Sequence, residues 1–289
     1  YDAMDKKDLE LFFHVAPDVP YMLSGDSLRI GQVLTNLISN AVKFTHQGAV
    51  KLFVRLTGQT EQGVTLQFEV QDTGIGMDRE QLNRLFTPFT QADSSTTRKY
   101  GGTGLGLVIS SRIVAAMGGA LEVESVPNEG SVFRFELELA FAGEQTAPSF
   151  CGFLESKKIL VVDDREEARV ILAEMLTSCN MYVELAAGGE EAIEKVLNAD
   201  RVGEPFEIIL MDWKMPGLNG LEASRKIREL TGAGNLQRET PSILMVSAYD
   251  LEDIGIGKDE EIDFIPKPVT ASTLFEALTR AATGDTGNR

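Results

Sequence analysis

Three short apolar runs in the second half of the chain constrain its fold more than any other feature of the sequence. Residues 159–162, 208–211 and 243–246 contain no polar side chain, which is typical of parallel strands that are buried on both faces of a sheet. Stretches with the period of an amphipathic helix separate the runs. This alternation of strand and helix predicts a doubly wound parallel sheet in the second half.

Polar residues follow each of these runs. Asp163 and Asp164 follow the first run, Asp212 the second and Ser247 the third, and Lys267 comes after a shorter apolar stretch. The carboxyl ends of parallel strands meet at the same edge of a sheet, so we expect these side chains to converge there. Neighbouring carboxylates repel one another unless a cation joins them. A ligand set made only of oxygen favours Mg²⁺ over transition metals.

This constellation resembles the receiver domain of bacterial response regulators, over about residues 157–282. The resemblance implies a flavodoxin-like sheet of five parallel strands. It also implies that Asp212 is a nucleophile, which takes a phosphoryl group from a phosphohistidine and becomes an aspartyl phosphate. Asp163, Asp164 and Asp212 would ligate Mg²⁺, which neutralises negative charge in the transferring group.

The residues around Ser247 and Lys267 carry the rest of the resemblance. By it, Lys267 supplies a compact positive charge to the site, and Ser247 supplies a hydrogen bond that reports phosphorylation. The peptide bond Lys267–Pro268 is expected to be cis, and Phe264 matches the switch aromatic residue of the family. The sequence departs from the family at residues 250–262, where two glycines and repeated acidic residues replace an apolar stripe. We expect the helix there to be short or irregular.

The first half of the chain contains four motifs in a fixed order. Residues 26–44 have helical periodicity and place Asn36, Asn40 and Lys43 on one polar face. A Gly-rich segment that opens a helix offers backbone N–H groups to a phosphate. Three further motifs follow the helix. They are DTGIGM at residues 72–77, directly after a predicted strand, FTPF at residues 86–89, and the Gly-rich GGTGLGL at residues 101–107.

Together these motifs resemble the N, G1, F and G2 boxes of the ATP-binding catalytic domain of sensor histidine kinases, over about residues 5–141. The resemblance implies an α/β sandwich of the fold shared with gyrases and heat-shock chaperones. By it, Asp72 accepts a hydrogen bond from the adenine amino group, and Asn40 ligates the Mg²⁺ on the phosphates. The nucleotide-binding residues that the resemblance implies, including those of a lid over 87–104, are Asn36, Asn40, Lys43, Asp72, Gly74, Gly76, Phe86, Arg98, Gly102, Thr103, Gly104, Leu105 and Gly106.

Asn36 discriminates between two kinds of activity on this fold. The hydrolytic relatives carry a Glu, four residues before the Mg²⁺-binding Asn, that activates water. Here Asn36 occupies that position, and an amide is not a general base near neutral pH. The sequence therefore favours phosphoryl transfer to another group over the fast hydrolysis of a free-standing ATPase.

The chain has only two histidines, His14 and His46, in a predicted strand and a turn. Neither context resembles the phosphoacceptor helix of a histidine kinase. The acceptor is therefore expected on a dimerisation domain outside this sequence, which begins without Met and is expected to be a fragment. The predicted organisation is that of a hybrid sensor histidine kinase, with a catalytic domain, a linker and a receiver at residues 1–141, 142–156 and 157–289.

Composition excludes several other classes of protein. A net charge of −17 disfavours direct binding to nucleic acid, and no apolar run is long enough to cross a bilayer. Cys151 and Cys179 fit no metal spacing and predict no disulfide framework. We therefore expect the chain to lie in the cytoplasm. This location is also that of the cytoplasmic part of a membrane-anchored kinase.

The expected partners follow from the same resemblance. They are the dimerisation domain of the same kinase, which would make the full-length protein a homodimer, and a downstream His-phosphotransfer protein or response regulator. The expected cofactors are ATP and Mg²⁺. An alternative function is a catalytically inactive, kinase-like scaffold whose receiver acts as a regulatory module.

Overall fold

The computed structural model describes residues 9–87, 105–143, 151–232, 241–247 and 263–283. The chain divides into two compact units, residues 1–146 and residues 147–289. Each unit has its own sheet and its own hydrophobic core. No helix among the described residues is both long and apolar enough to span a membrane.

The first unit is an α/β sandwich, as predicted. Its six strands form one sheet in the order β1-β3-β4-β6-β2, with β5 paired to β6. Strand β1 runs parallel to β3, and the other neighbours are antiparallel. The elements are β1 (Leu9–Val15), β2 (Leu23–Ser24), α1 (Ser27–Phe44), β3 (Gly48–Gln59), β4 (Gly63–Asp72), α2 (Arg79–Arg84), α3 (Gly106–Ala116), β5 (Leu121–Val126) and β6 (Gly130–Phe141).

Helix α1 forms where the sequence predicts it. The Asp26 carboxylate accepts a hydrogen bond from the Arg29 N–H at 3.0 Å, which caps the amino end of the helix. Val33, Leu37 and Ala41 recur every four residues and are buried, so they form one apolar face. That face packs on the sheet, and the polar face with Asn36 and Asn40 is left for other contacts.

The alternation of the long strands builds the rest of this core. Every second side chain of β4, from Val64 to Asp72, is buried, and the residues between them are partly exposed. Phe68 of β4 stacks on Phe135 of β6, with ring centroids 4.9 Å apart. Asp72 continues the buried series, so the period of the strand itself carries a carboxylate into the interior.

The second unit is the predicted five-stranded parallel sheet. Its strand order is β11-β10-β9-β7-β8, and every pair is parallel. Two buried clusters cover the two faces, which explains why the strands are apolar without interruption. The elements are α4 (Cys151–Leu154), β7 (Lys158–Val162), α5 (Glu166–Thr177), β8 (Tyr182–Ala186), α6 (Gly189–Arg201), β9 (Ile208–Asp212), α7 (Gly220–Gly232), β10 (Ser242–Ser247), β11 (Asp263–Pro266) and α8 (Ala271–Thr283).

Two features of this unit differ from the sequence analysis. The segment assigned to the carboxyl end of the linker contains α4, and Leu154 of α4 is fully buried in the core of the second unit. This packing explains the apolar side chain of Leu154. Cys179 is disulfide-bonded, whereas the cysteine spacing predicted no disulfide framework. The distance between cysteines along a sequence contains no information about their distance in space. Residues 250–262, where an irregular helix was predicted, lie outside the described part of the chain.

Candidate functional site

Three carboxylates converge at the carboxyl edge of the second sheet. Asp163 follows β7 directly, Asp164 comes next, and Asp212 is the last residue of β9. Each offers an oxygen within 4.8 Å of the other two, and they form a group that could hold a metal ion. Asp163 and Asp212 are 2% and 5% exposed, and Asp164 is open to solvent. The cluster is therefore anchored in the protein on one side and accessible on the other.

Lys267 supplies the positive charge of this cluster. Its Nζ lies 2.7 Å from Asp212 Oδ1 and 3.3 Å from Asp163 Oδ2. The Lys267 N–H donates to the Ser247 carbonyl oxygen at 2.8 Å, which ties the residue to the end of β10. The Lys267–Pro268 peptide bond is cis, as predicted. One ammonium group thus bridges two of the three carboxylates with charge-assisted hydrogen bonds.

Ser247 and the two aromatic residues lie at the same edge. Ser247 ends β10, 4% exposed, one residue beyond the pairing of Val246 with Asp212. The Trp213 N–H donates to the Val246 carbonyl oxygen at 2.9 Å and fixes the start of the loop after β9. The Trp213 and Phe264 rings lie 6.5 Å apart in a tilted arrangement. The only tryptophan of the chain therefore neighbours the carboxylate cluster.

The residues present fit a Mg²⁺ ion. The three ligand groups are all carboxylates, which are the oxygen donors that Mg²⁺ takes, and their mutual distances allow one ion to be shared. Exposure of Asp164 leaves room for the water ligands that Mg²⁺ keeps. Among the described residues, no thiol or imidazole belongs to the cluster, so it does not favour a transition metal.

Gly220 makes a close approach beneath this site. An added Cβ would lie 2.1 Å from the Asp212 carbonyl oxygen. The Gly220 N–H donates to the Trp213 carbonyl oxygen at 3.1 Å. A single sequence gives no sign of this contact, because the glycine lies at the start of α7 and its partner ends β9.

We expect Gly220→Ala to lower the free energy of unfolding of the second unit by roughly 1–3 kcal/mol, because the Asp212 backbone must move to admit the methyl group. Chemical denaturation of the chain measures the effect. Gly188→Ala is the control, since an added Cβ at Gly188 meets nothing within 4 Å and its backbone is extended, with φ of 178°. Equal stability of the two variants would contradict the contact.

The first unit places a buried carboxylate at the end of β4. Asp72 is 6% exposed, and its Oδ1 accepts a hydrogen bond from the Gly74 N–H at 2.9 Å. Burial raises the pKa of Asp72 above its ordinary value, and hydrogen bonds from Gly74 and from the backbone and hydroxyl of Ser131 lower it. A carboxylate has about four lone-pair sites, so Asp72 keeps the capacity to accept a further hydrogen bond from a ligand beside these donors.

Two glycines let the loop after Asp72 pass close to other backbone. A Cβ on Gly74 would lie 2.6 Å from the Phe44 carbonyl oxygen, at the end of α1. Gly76 has φ of +62°, and a Cβ there would lie 1.9 Å from the Val126 carbonyl oxygen. The Ile75 N–H also donates to the Phe44 carbonyl oxygen at 3.3 Å. The DTGIGM loop therefore packs against the carboxyl end of α1, the helix that carries Asn36 and Asn40.

Asn36 connects α1 to α3, the helix that follows the Gly-rich segment. Its Nδ2 donates to the Ser110 Oγ at 2.9 Å, and Ser110 is 2% exposed. A Cβ on Gly106 would lie 2.3 Å from Asn36 Oδ1. Glycine at this position therefore lets the amino end of α3 approach the asparagine closely. Ser110 was not identified from the sequence, since it lies 74 residues from Asn36.

The remaining predicted nucleotide residues divide into two groups. Asn40 and Lys43 lie half-buried on α1, with the Lys43 Nζ 5.0 Å from the centroid of the Phe44 ring. Phe86 packs against the core of the unit, and Leu105 caps α3 without a side-chain hydrogen bond. Predicted residues outside the described part of the chain are Arg98, Gly102, Thr103 and Gly104.

Both units match known families of domain. Residues 25–140 match the family of histidine kinase-, DNA gyrase B- and HSP90-like ATPases, and residues 159–279 match the response regulator receiver domain. The chain is 38% identical over 292 residues to the sensor protein GacS of Pseudomonas syringae pv. syringae, a match that covers 99% of the chain and 32% of GacS. The homologues of the chain are hybrid sensor histidine kinases. The chain therefore combines the ATPase and receiver domains of two-component signalling.

Other relatives show how much of such a kinase the chain represents. It is 34% identical over 303 residues to the sensory/regulatory protein RpfC of Xanthomonas campestris pv. campestris, which covers 93% of the chain and 40% of RpfC. The chain thus spans less than half the length of these two hybrid kinases. The crystal structure of full-length ShkA in complex with AMPPNP shares the fold, with a TM-score of 0.51 at 22% identity over 96% of this chain and 80% of that one.

Proposed function

We propose that this part of a hybrid kinase works at two steps of a phosphorelay. Its first unit binds Mg-ATP for phosphorylation of a histidine on a separate domain, and its second unit accepts the phosphoryl group on Asp212. The observation that carries the proposal is the contact of Lys267 Nζ with Asp212 Oδ1 at 2.7 Å, within a group of three carboxylates. This arrangement provides a nucleophile, a metal-binding group and a fixed positive charge at one place.

In the second unit, an Asp212 carboxylate oxygen is proposed to attack phosphorus while the bond from phosphorus to the donor histidine nitrogen breaks. Asp163, Asp164 and Asp212 would hold Mg²⁺, which when bound neutralises negative charge on the phosphoryl group. Lys267 holds a compact charge against the nucleophile and lies ready to pair with a phosphoryl oxygen. Buried Ser247, at the end of the neighbouring strand, is proposed to donate a hydrogen bond to the phosphorylated residue.

In the first unit, Asp72 is proposed to accept a hydrogen bond from the adenine amino group. Asn40 would hold the Mg²⁺ of the nucleotide, and Asn36 and Lys43 would contact phosphate or metal. The Ser110 contact holds the Asn36 amide in place, and an amide does not deprotonate water. The site therefore supports transfer to a protein histidine better than transfer to water.

The acceptor histidine is proposed to lie on a dimerisation domain of the same kinase. His14 lies in β1 and contacts the Phe53 ring edge-on at 5.8 Å, and His46 lies in the turn after α1. Neither is on a helix, where a kinase of this family carries its acceptor. Downstream, the phosphoryl group on Asp212 would pass to a His-phosphotransfer protein or a response regulator. Because the first step uses ATP, we place the reaction in the cytoplasm.

The proposal predicts that this chain alone does not form phosphohistidine. Incubation with γ-labelled ATP and Mg²⁺ is expected to leave His14 and His46 unlabelled, because neither side chain lies on an acceptor helix. Acid-labile, base-stable label measures the reaction, and mass spectrometry locates any label. The variant His14→Gln/His46→Gln is the control for background. Label in the wild type that this variant lacks would contradict the proposal.

A further inference from the structure

Asp163 is held by four hydrogen bonds, one at each of its polar groups. Its N–H donates to the Ala186 carbonyl oxygen at 3.2 Å. Its Oδ1 accepts from the Arg165 N–H at 2.9 Å, and its Oδ2 accepts from Lys267 Nζ at 3.3 Å. Its carbonyl oxygen accepts from the Arg169 Nη1 at 2.6 Å. The first three bonds join Asp163 to the neighbouring strand, to the following loop and to the lysine of the proposed site. The fourth comes from Arg169, which has no part in the proposed phosphoryl transfer.

Arg169 lies in the first turn of α5, where its own N–H donates to the Arg165 carbonyl oxygen at 3.2 Å. Helical side chains point toward the amino end of their helix. Its guanidinium can therefore reach back along the helix to the carbonyl of Asp163, six residues earlier. A guanidinium is always charged in proteins, and a hydrogen bond from it to a buried carbonyl is stronger than one between neutral groups.

The loop between Asp163 and α5 lacks the usual anchor of a helix start. The residue at the N-cap position is Arg165, and it makes no side-chain capping hydrogen bond. A cap of the ordinary kind, from Ser, Thr, Asp or Asn, would fix the loop to the first turn. Here the Arg169 side chain makes the corresponding connection from the helix back to the loop.

Arg169 also has a weak electrostatic influence on an acidic residue of α6. Glu191, near the start of α6, accepts a hydrogen bond from the Ala187 N–H at 2.8 Å. This hydrogen bond makes the largest contribution to holding the pKa of Glu191 below its ordinary value. The positive charges of Lys195 and Arg169 lower the pKa further. Arg169 contributes least to this lowering, so its principal contact is the hydrogen bond to the Asp163 carbonyl oxygen. Ala186, which ends β8, is also the acceptor for the Asp163 N–H.

We propose that Arg169 is a positioning residue that fixes the orientation of Asp163 and thereby sets the affinity of the second unit for Mg²⁺. The inference rests on the proposed function, in which Asp163 is a metal ligand. Arg169 is not one of the three proposed metal ligands. It acts through the Asp163 carbonyl oxygen, and so fixes the backbone from which the carboxylate projects.

The test is a Mg²⁺ titration of the whole chain without nucleotide, followed by the fluorescence of Trp213, the only tryptophan. Loss of an outer-shell partner typically weakens metal binding about 10–100-fold, and we expect an effect of this size in Arg169→Met. Arg169→Lys keeps one donor and is expected to fall between Met and the wild type. Arg201→Met is the control, because Arg201 is exposed on α6 and donates to Asn198, three residues away, at 3.4 Å.

Labelling with acetyl phosphate distinguishes positioning from a merely structural role. At saturating Mg²⁺, the extent of labelling of Arg169→Met is expected to return to the wild-type value. A folded Arg169→Met with wild-type Mg²⁺ affinity would overturn the role of Arg169, and so would a labelling defect that Mg²⁺ does not correct. If Arg169→Met does not fold, the same two criteria apply to Arg169→Lys. A wild-type chain that neither binds Mg²⁺ nor takes label would refute the proposed function itself.

Discussion

Asp212→Asn is expected to lower phosphoryl labelling of the chain by acetyl phosphate and Mg²⁺ by at least about a hundredfold. The substitution replaces the proposed nucleophilic oxygen with an amide and removes a charge that Lys267 contacts at 2.7 Å. An amide of nearly the same shape preserves the packing of a residue that is 5% exposed. Incorporation of radiolabel measures the loss. Circular dichroism establishes that the variant is folded.

Asp263→Asn is the matched control for this experiment. Asp263 begins β11, in the same sheet, but its side chain is exposed and it is not part of the carboxylate group. We expect labelling of this variant to equal that of the wild type. If Asp212→Asn took label as well as Asp263→Asn did, another residue would be the acceptor and the assignment of the site would be wrong.

The fold of the second unit could be predicted because its strands are both apolar and terminated by charge. A run such as 208–211 has no polar face, so it must lie between two layers, and the acid that follows must lie at the sheet edge. The three carboxylates therefore meet as the order of the chain predicts. In the first unit, the periodicity of residues 26–44 predicts α1 in the same direct way.

Other contacts could not be predicted because they join distant parts of the chain. Ser110 meets Asn36 across 74 residues, and no periodicity in either helix identifies the pair. Arg169 has the sequence pattern of an ordinary solvated residue on α5, and only the course of the loop brings it to Asp163. Leu154 belongs to a segment without periodicity, yet it is buried by the packing of α4 in the core.

Asp72→Asn is expected to weaken binding of AMPPNP with Mg²⁺ by about tenfold or more, since a hydrogen bond to a charged group contributes about 1.5–3 kcal/mol. The adenine amino group is a donor, and the Asn side chain can present an NH₂ group, also a donor, in place of a carboxylate oxygen. Asp72 is 6% exposed, and burial disfavours its charged form. The neutral variant is therefore expected to keep the fold. Isothermal titration calorimetry measures the affinity.

Glu138→Gln is the control for the loss of a carboxylate in the first unit. Glu138 lies exposed on β6, which pairs with β4 along its length, but it does not share the buried face that carries Asp72. Wild type and Glu138→Gln are expected to bind AMPPNP equally. Three results lead to different conclusions. Binding that Asp72→Asn weakens supports the proposed nucleotide site, and equal binding by all three chains places the nucleotide elsewhere. Absence of binding to the wild type at millimolar AMPPNP favours the inactive scaffold, in which the first unit keeps the ATPase fold without its ligand.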